Sequence, residues 1–341
     1  MKFSKQPVIG ALCATLLAAS PAIWADASAP FYAVNQNPLI QLLGLPPLEK
    51  GEVTTAGATS SWVILNTSSN SISETVQQES IVLDGESYRL NFMFRHGLKQ
   101  SLFGLKGIEV GIDIPYIRHS GGSLDGFIRK WHEALGLTNS EREQFQNNQL
   151  QYEYSLNGVT QFRTVNTTDS IGDIRLSAAW QLRCRKAAEH HCSALRAGLK
   201  LPTGSVEKLS GSGGINFSLA HTTSRTYQRY TFNYGGGLLL NGNSDLLNEQ
   251  QKRMVGFANA GISYQPKRYS WMVLKAQLDG HSAFYKSALK NLGSSSVQLN
   301  IGGTLRLSEA MAFDIGVLED IVTSTVPDVS FHLALRMQHG E

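Results

Sequence analysis

The chain has 341 residues, of which 17% are charged, 42% are hydrophobic and 32 are glycine. Charge is well below the roughly 25% usual in soluble domains, which excludes a disordered charged chain and a coiled coil, and no long apolar run suggests a bundle of membrane helices. A formal net charge of +3 with scattered lysines and arginines gives no footprint for nucleic acid, so that partner is excluded.

Taken in chain order, the first element is an export signal. Lys2 and Lys5 form a positive start, Val8 to Ala19 an apolar stretch, and Ala25-Asp26-Ala27 a small-residue cleavage site, so residues 1–27 read as a secretory signal peptide. Residues 28–59, with Pro30, Pro38, Pro46 and Pro47, read as an irregular periplasmic lead-in.

From about residue 60 to the end, segments of roughly ten residues alternate apolar and polar with period two, as membrane-barrel strands do. Tyr88, Leu90, Phe92 and Phe94 oppose Arg89, Asn91 and Arg95; Ile108, Val110, Ile112 and Ile114 oppose Glu109, Gly111 and Asp113. Ile174 to Gln181, Leu195 to Leu201, Val297 to Arg306, Met311 to Val317 and Val329 to Met337 repeat the pattern. A strand that spans lipid must close all its backbone hydrogen bonds, which forces a closed barrel. Connections alternate between short ones, near 98–106, 183–192, 224–228, 266–268 and 307–309, and long ones, near 119–170, 202–213, 241–253, 280–295 and 319–327. The expected fold is therefore an all-β, antiparallel transmembrane barrel of about 12 strands over residues 60–341, with its short turns in the periplasm. Its first strand is either 78–83, if Asp84-Gly85 is a tight turn, or 60–67 followed by a long outer loop over 68–85; the second is preferred.

The outer loop 119–170 contains a helix pattern. Ser123 is a candidate N-cap, Leu124, Phe127, Ile128, Trp131 and Leu135 have helical spacing, and Gly136 ends the run. The other face carries Asp125, Arg129, Lys130, His132 and Glu133. Trp131, Phe127 and Leu124 need an apolar partner, so this cap helix either docks on the rim or turns inward and narrows the mouth. Asn157-Gly158 marks a hairpin turn later in the loop.

The mature chain keeps Cys184 and Cys192, which flank a short turn and read as a disulfide; the alternative is a zinc site of both thiolates with His190 and His191. Candidate lumen residues are Arg89, Arg95, Glu109, Asp113, Asp173, Arg175, Arg196, Lys200, Lys275, Asp279, Asp314 and Arg336. They either line a selective channel or fill the interior as a salt-bridged core. A hydrolase needs a nucleophile, base and orienting group. His119-Ser120 lie together at the mouth, but Asp125 and His132 are too far apart along a helix to pair, and no Gly-x-Ser-x-Gly, His-Glu-x-x-His or P-loop motif occurs. No catalytic residue, metal site or cofactor is assigned.

The stretches Leu83-Asp84-Gly85-Glu86, Arg95-His96-Gly97-Leu98, Gly121 to Ile128 with Trp131-His132, Gly172-Asp173-Ile174-Arg175 and Leu201-Pro202-Thr203-Gly204 resemble a Gram-negative envelope family catalogued as domain of unknown function number 3187. The resemblance runs from about residue 31 to the end and implies an outer-membrane barrel without a known reaction or ligand. Many such barrels end on an aromatic residue, whereas this chain ends Met337-Gln338-His339-Gly340-Glu341. The expected location is the Gram-negative outer membrane. The expected function is a channel or transporter for small solutes, in contact with outer-membrane lipid and the outer-membrane assembly machinery. The alternatives are a structural envelope barrel or a lipid-acting hydrolase.

Overall fold

The computed structural model describes residues 26–102, 104–135, 145–185, 190–322, 325, 327 and 329–340. Its strands are β1 (Thr59–Val76), β2 (Glu79–Gly97), β3 (Ile108–Ser120), β4 (Gln151–Leu156), β5 (Val159–Thr164), β6 (Thr168–Ile171), β7 (Arg175–Arg185), β8 (His190–Lys200), β9 (Asn216–Tyr227), β10 (Tyr230–Asn241), β11 (Met254–Tyr264), β12 (Met272–His281), β13 (Ser296–Arg306), β14 (Met311–Val322) and β15 (Val329–His339). The helices are α1 (Asp125–Leu135) and the short α2 (Lys290–Gly293).

Twelve of these strands close a barrel: β1, β2, β3 and β7 to β15 pair with their neighbours in antiparallel register. The ring shuts where Thr59 to Ser69 of β1 lie beside His339 to Val329 of β15. The remaining three grow out of the long-loop rim, β4 continuing the sheet from β2, β5 pairing with β4, and β6 pairing with β3. Alternation sorts the side chains as expected. Phe92, Phe94, Leu176, Leu238, Leu240 and Ile301 are exposed on the outward face, whereas Asn91, Arg95, Asp113 and Asn300 are buried inside. Near the short-turn rim Tyr230 stacks on Tyr264 and Tyr269 meets Trp271, the aromatic belt expected at a membrane boundary.

Two expectations about the start of the chain are corrected. Asp84-Gly85 is not a turn: β1 and β2 form one long hairpin closed at Gln77-Gln78, and Asp84 and Gly85 pair with Ser71 and Asn70 inside it. Gly85, at φ 135°, is where β2 changes neighbour, with Glu86 beside Ser120 of β3 and Asp84 beside Gln151 of β4. Residues 68–85 are therefore the upper halves of two strands, because the sheet continues beyond the barrel through β4.

The segment expected as a periplasmic lead-in is irregular, but it runs inside the barrel. Asp26 starts at the short-turn rim, where its carbonyl accepts from Arg336 at 2.7 Å. The chain climbs to a single 3-10 turn at Gln41–Leu43, reverses at Gly44 (φ 71°), and returns to the same rim, where Gly57 N donates to Gly97 O. Leu39, Ile40, Leu42 and Leu43 are buried at its tip in a cluster with Leu83, Leu246, Phe284, Tyr285 and Leu292 from the long-loop end. These apolar groups are hidden from water only inside the lumen, which explains the path.

Candidate functional site in the barrel lumen

Every lumen residue expected from the sequence points inward, but the charges meet a re-entrant plug, residues 26–58, instead of open space. Glu49 of the plug's returning arm is the hub. It accepts from Arg95 (3.2 Å), Arg175 (3.1 Å) and Arg196 (3.2 Å). Arg95 and Arg175 also share Asp113, at 2.6 and 2.9 Å, and the Tyr32 hydroxyl of the rising arm donates to the same carboxylate at 2.6 Å. Arg196 reaches Glu109 at 2.8 Å, and Glu109 accepts from Thr54 N at 2.6 Å. Burial alone would raise the Glu49 pKa; the three guanidiniums outweigh it and hold the carboxyl well below the usual carboxylate range. At the rim burial again acts upward on Asp26, but Lys50, its ion-pair partner, holds that carboxyl far below its ordinary value.

A second group binds the rising arm. Asp314 pairs with Lys275 (3.3 Å) and with Arg336, while Lys275 also donates to Ala29 O. Lys275 lies over the Phe31 ring and Arg336 over Trp62, at 5.1 and 4.9 Å. Gln277 and the Phe31 backbone exchange hydrogen bonds in both directions, and Asp279 accepts from Gln277, Asn259 and Asn300. The third group belongs to the wall itself: Lys200 pairs with Asp173, which also accepts from Gly204 N and Ser212 N. Arg89 donates to the Gln41 carbonyl at the plug tip at 3.4 Å.

The seal is polar and imperfectly matched. Among the described residues, the side-chain amides of Asn91 on the wall and Gln41 on the plug are buried without a hydrogen-bond partner, as is Asn37 Nδ2. Such groups are costly to bury dry. A cavity of about 320 Å³ opens toward the short-turn rim beneath Tyr32, Glu49, Trp62 and Arg196. Above it, around Gln41, Arg89 and Lys200, the free space falls to about 30 Å³.

The cap residues fall elsewhere. Asp125 begins α1 and accepts from Asn148 N at 2.9 Å. Phe127 packs on Phe331 at 6.0 Å between ring centroids; Phe331 lies on the outward face of β15, between the inward Ser330 and His332. The loop before the helix is held by Glu86, which accepts from Ser123 N at 2.8 Å and from Leu124 N. Glu86 too lies on the outward face of β2. Of the two expected positions, these contacts put the start of the helix on the rim, on the lipid side. The backbones of Trp131 and His132 belong to α1, but their side chains lie outside the described residues.

His119 and Ser120 do not act together. His119 Nε2 donates to Leu209 O at 2.8 Å, which leaves Nδ1 to accept from Ser87, also at 2.8 Å. Tyr152 closes that chain against Ser87 at 3.1 Å. All three side chains are buried. The expected disulfide joins Cys184 and Cys192, which are register partners on β7 and β8.

These features define a plugged membrane β-barrel. The model of the family described as "Protein of unknown function (DUF3187)" matches residues 8–339, and the chain belongs to that family. Among solved structures it is similar to an outer membrane channel from Pseudomonas putida F1, at 12% identity and a TM-score of 0.52, over 84% of this chain and 97% of that one. That likeness shows a shared outer-membrane barrel fold. Looser likenesses are the KdgM porin (6% identity, TM-score 0.41, 82% of this chain and 98% of that one) and outer membrane phospholipase A from Escherichia coli (10%, 0.38, 89% and 98%). No curated protein matches the sequence.

Proposed function

We propose that the protein is an outer-membrane channel for small solutes, held shut by the re-entrant plug. The observation that carries this reading is the plug's seat: a wall of polar and charged side chains faces a segment whose two ends meet at one rim. A segment entering and leaving by the same side can withdraw without being threaded through the barrel. The wall it uncovers is suited to water, because Asn66, Asn91, Arg95, Arg175 and Asn300 all lie on its inward face. Export by the signal peptide at 1–27 and insertion by the outer-membrane assembly machinery belong to the same reading. The hydrolase alternative is poorly supported, since Ser87 and His119 are sealed under Tyr152.

The test is single-channel conductance in planar bilayers, comparing the full protein with a variant lacking residues 28–53. The full protein should be closed for most of the recording and the deletion steadily open. Folded barrels of this kind resist detergent until heated, so a gel with and without boiling checks that the deletion is folded. A folded deletion that does not conduct overturns the channel and leaves the structural-barrel reading.

A further inference from the structure

The ends of β7 and β8 carry a group of side chains that the lumen does not use. His190 Nε2 lies 3.2 Å from Cys192 Sγ and 3.0 Å from Glu52 Oε2, and one donor atom from each of Glu52, Cys184, His190 and Cys192 lies within 4.8 Å of the others. Glu52 comes from the plug's returning arm, far away in sequence. His191, part of the zinc alternative read from the sequence, is the register partner of Arg185, one step along from Cys192 and so on the opposite face; Glu52 stands where that alternative had a second imidazole.

We infer that Glu52, His190 and the thiolates of Cys184 and Cys192 form a zinc site when the disulfide is reduced, pinning the returning arm of the plug to the barrel wall. Thiolate, imidazole and carboxylate are all zinc ligands, and the four together fill its tetrahedral shell. A dithiol reductant drives the switch: it passes two electrons and two protons to the S–S bond and becomes a disulfide, leaving two thiols. Zinc then displaces the two thiol protons, while His190 binds as a neutral imidazole through Nε2 and carries its own proton on Nδ1. While the bridge is intact only His190 and Glu52 are available, and they hold each other.

The site requires nothing of the channel reading and is tested apart from it. Full-length protein in detergent is reduced with a phosphine, freed of excess reagent and titrated with Co²⁺. The reduced protein should bind one Co²⁺ per chain, with thiolate-to-cobalt absorption in the near ultraviolet and the intense visible bands of tetrahedral cobalt, and Zn²⁺ should displace it. Glu52→Gln, which keeps the shape of the side chain, should weaken Co²⁺ by roughly tenfold or more and change the visible bands. His190→Ala should do the same, and oxidised protein should show no thiolate band. Absence of that band from reduced, heat-modifiable wild type overturns the site, as does an unchanged affinity and spectrum in both variants.

Discussion

The tip and the base of the plug are held by different physics. At the tip, Leu39, Ile40, Leu42 and Leu43 pack among Phe284, Tyr285 and Leu246, with neutral or carbonyl-directed ties only: the Tyr285 hydroxyl donates to Leu39 O at 3.1 Å and Arg89 to Gln41 O at 3.4 Å. At the base, Glu49 is gripped by three arginines that also engage Asp113 and Glu109. Apolar packing is broad and insensitive to salt, and it yields gradually. A buried ion cluster is stable only while complete, because loss of one member strands the others without a partner. The base is therefore the part of the plug where one chemical event can release it.

Two substitutions test that contrast. The larger effect is expected for Glu49→Leu, which leaves Arg95, Arg175 and Arg196 short of a buried counterion; breaking a buried pair this way costs about 3 to 5 kcal/mol. Single-channel recordings should show openings that are frequent in the variant and rare in the parent. An unchanged open probability would mean that the base does not control the plug. Leu42→Ala at the tip should cost about 2 to 4 kcal/mol of packing. Its openings should be shorter and independent of ionic strength, because the ion cluster still holds the returning arm. If high salt affects both variants equally, the division between tip and base is wrong.

The wall of this protein was legible from its sequence and the plug was not. Period-two alternation is written into each spanning strand by lipid on one side and polar lumen on the other, so strand number and the order of short and long connections followed directly. The strand reading failed over 68–85, expected as a loop but forming the upper halves of two strands, with the turn-forming pair Asp84-Gly85 serving a change of neighbour in a continuous strand. The plug has no period, because it adopts no repeating structure and its contacts come from distant residues, 46 positions away for Glu49 with Arg95 and 246 for Phe31 with Gln277. Two signals pointed to it nonetheless. Leu39-Ile40-Gln41-Leu42-Leu43 is too apolar for a solvated lead-in. The inward candidates also comprise seven basic and five acidic groups, an excess that Glu49 partly offsets. Glu52 beside the cysteines was invisible for the same reason: spacing rules see neighbours in sequence, and this neighbour arrives through the fold.

Acidification gives a sharper test of the base. The Glu49 carboxyl is held below its ordinary value when docked and regains that value when the plug leaves, so its contribution to closure is complete above the ordinary carboxylate range. It is lost only as pH falls through the depressed docked value. Open probability should therefore stay flat from about pH 8 to pH 5. A rise in openings within that window would show that another group controls the seat. Replacing Cys184 and Cys192 with serine removes a small covalent loop, for which chain-entropy estimates give about 2 to 3 kcal/mol. Thermal unfolding should shift down while the barrel still assembles, and loss of assembly would mean that the bridge forms before the strands close.

The smallest expected effect concerns α1, and it separates the lumen from the outer wall. Phe127 rests on Phe331, an outward residue of β15, and the chain entering the helix is tied to Glu86 on the outward face of β2. The helix thus covers the lipid-side surface of the rim, with Phe127 itself half exposed in line with the lipid-facing residues of the wall. An amphipathic helix so placed gains from the membrane interface. Replacing residues 122–136 with a short linker should leave conductance unchanged, both in the full protein and in the variant lacking residues 28–53. The deletion should lower only the temperature at which the detergent-solubilised barrel unfolds, since Glu86 and Phe331 lose their cover. Higher conductance in the deletion would place the helix over the mouth after all, and would make the plug one of two barriers in series.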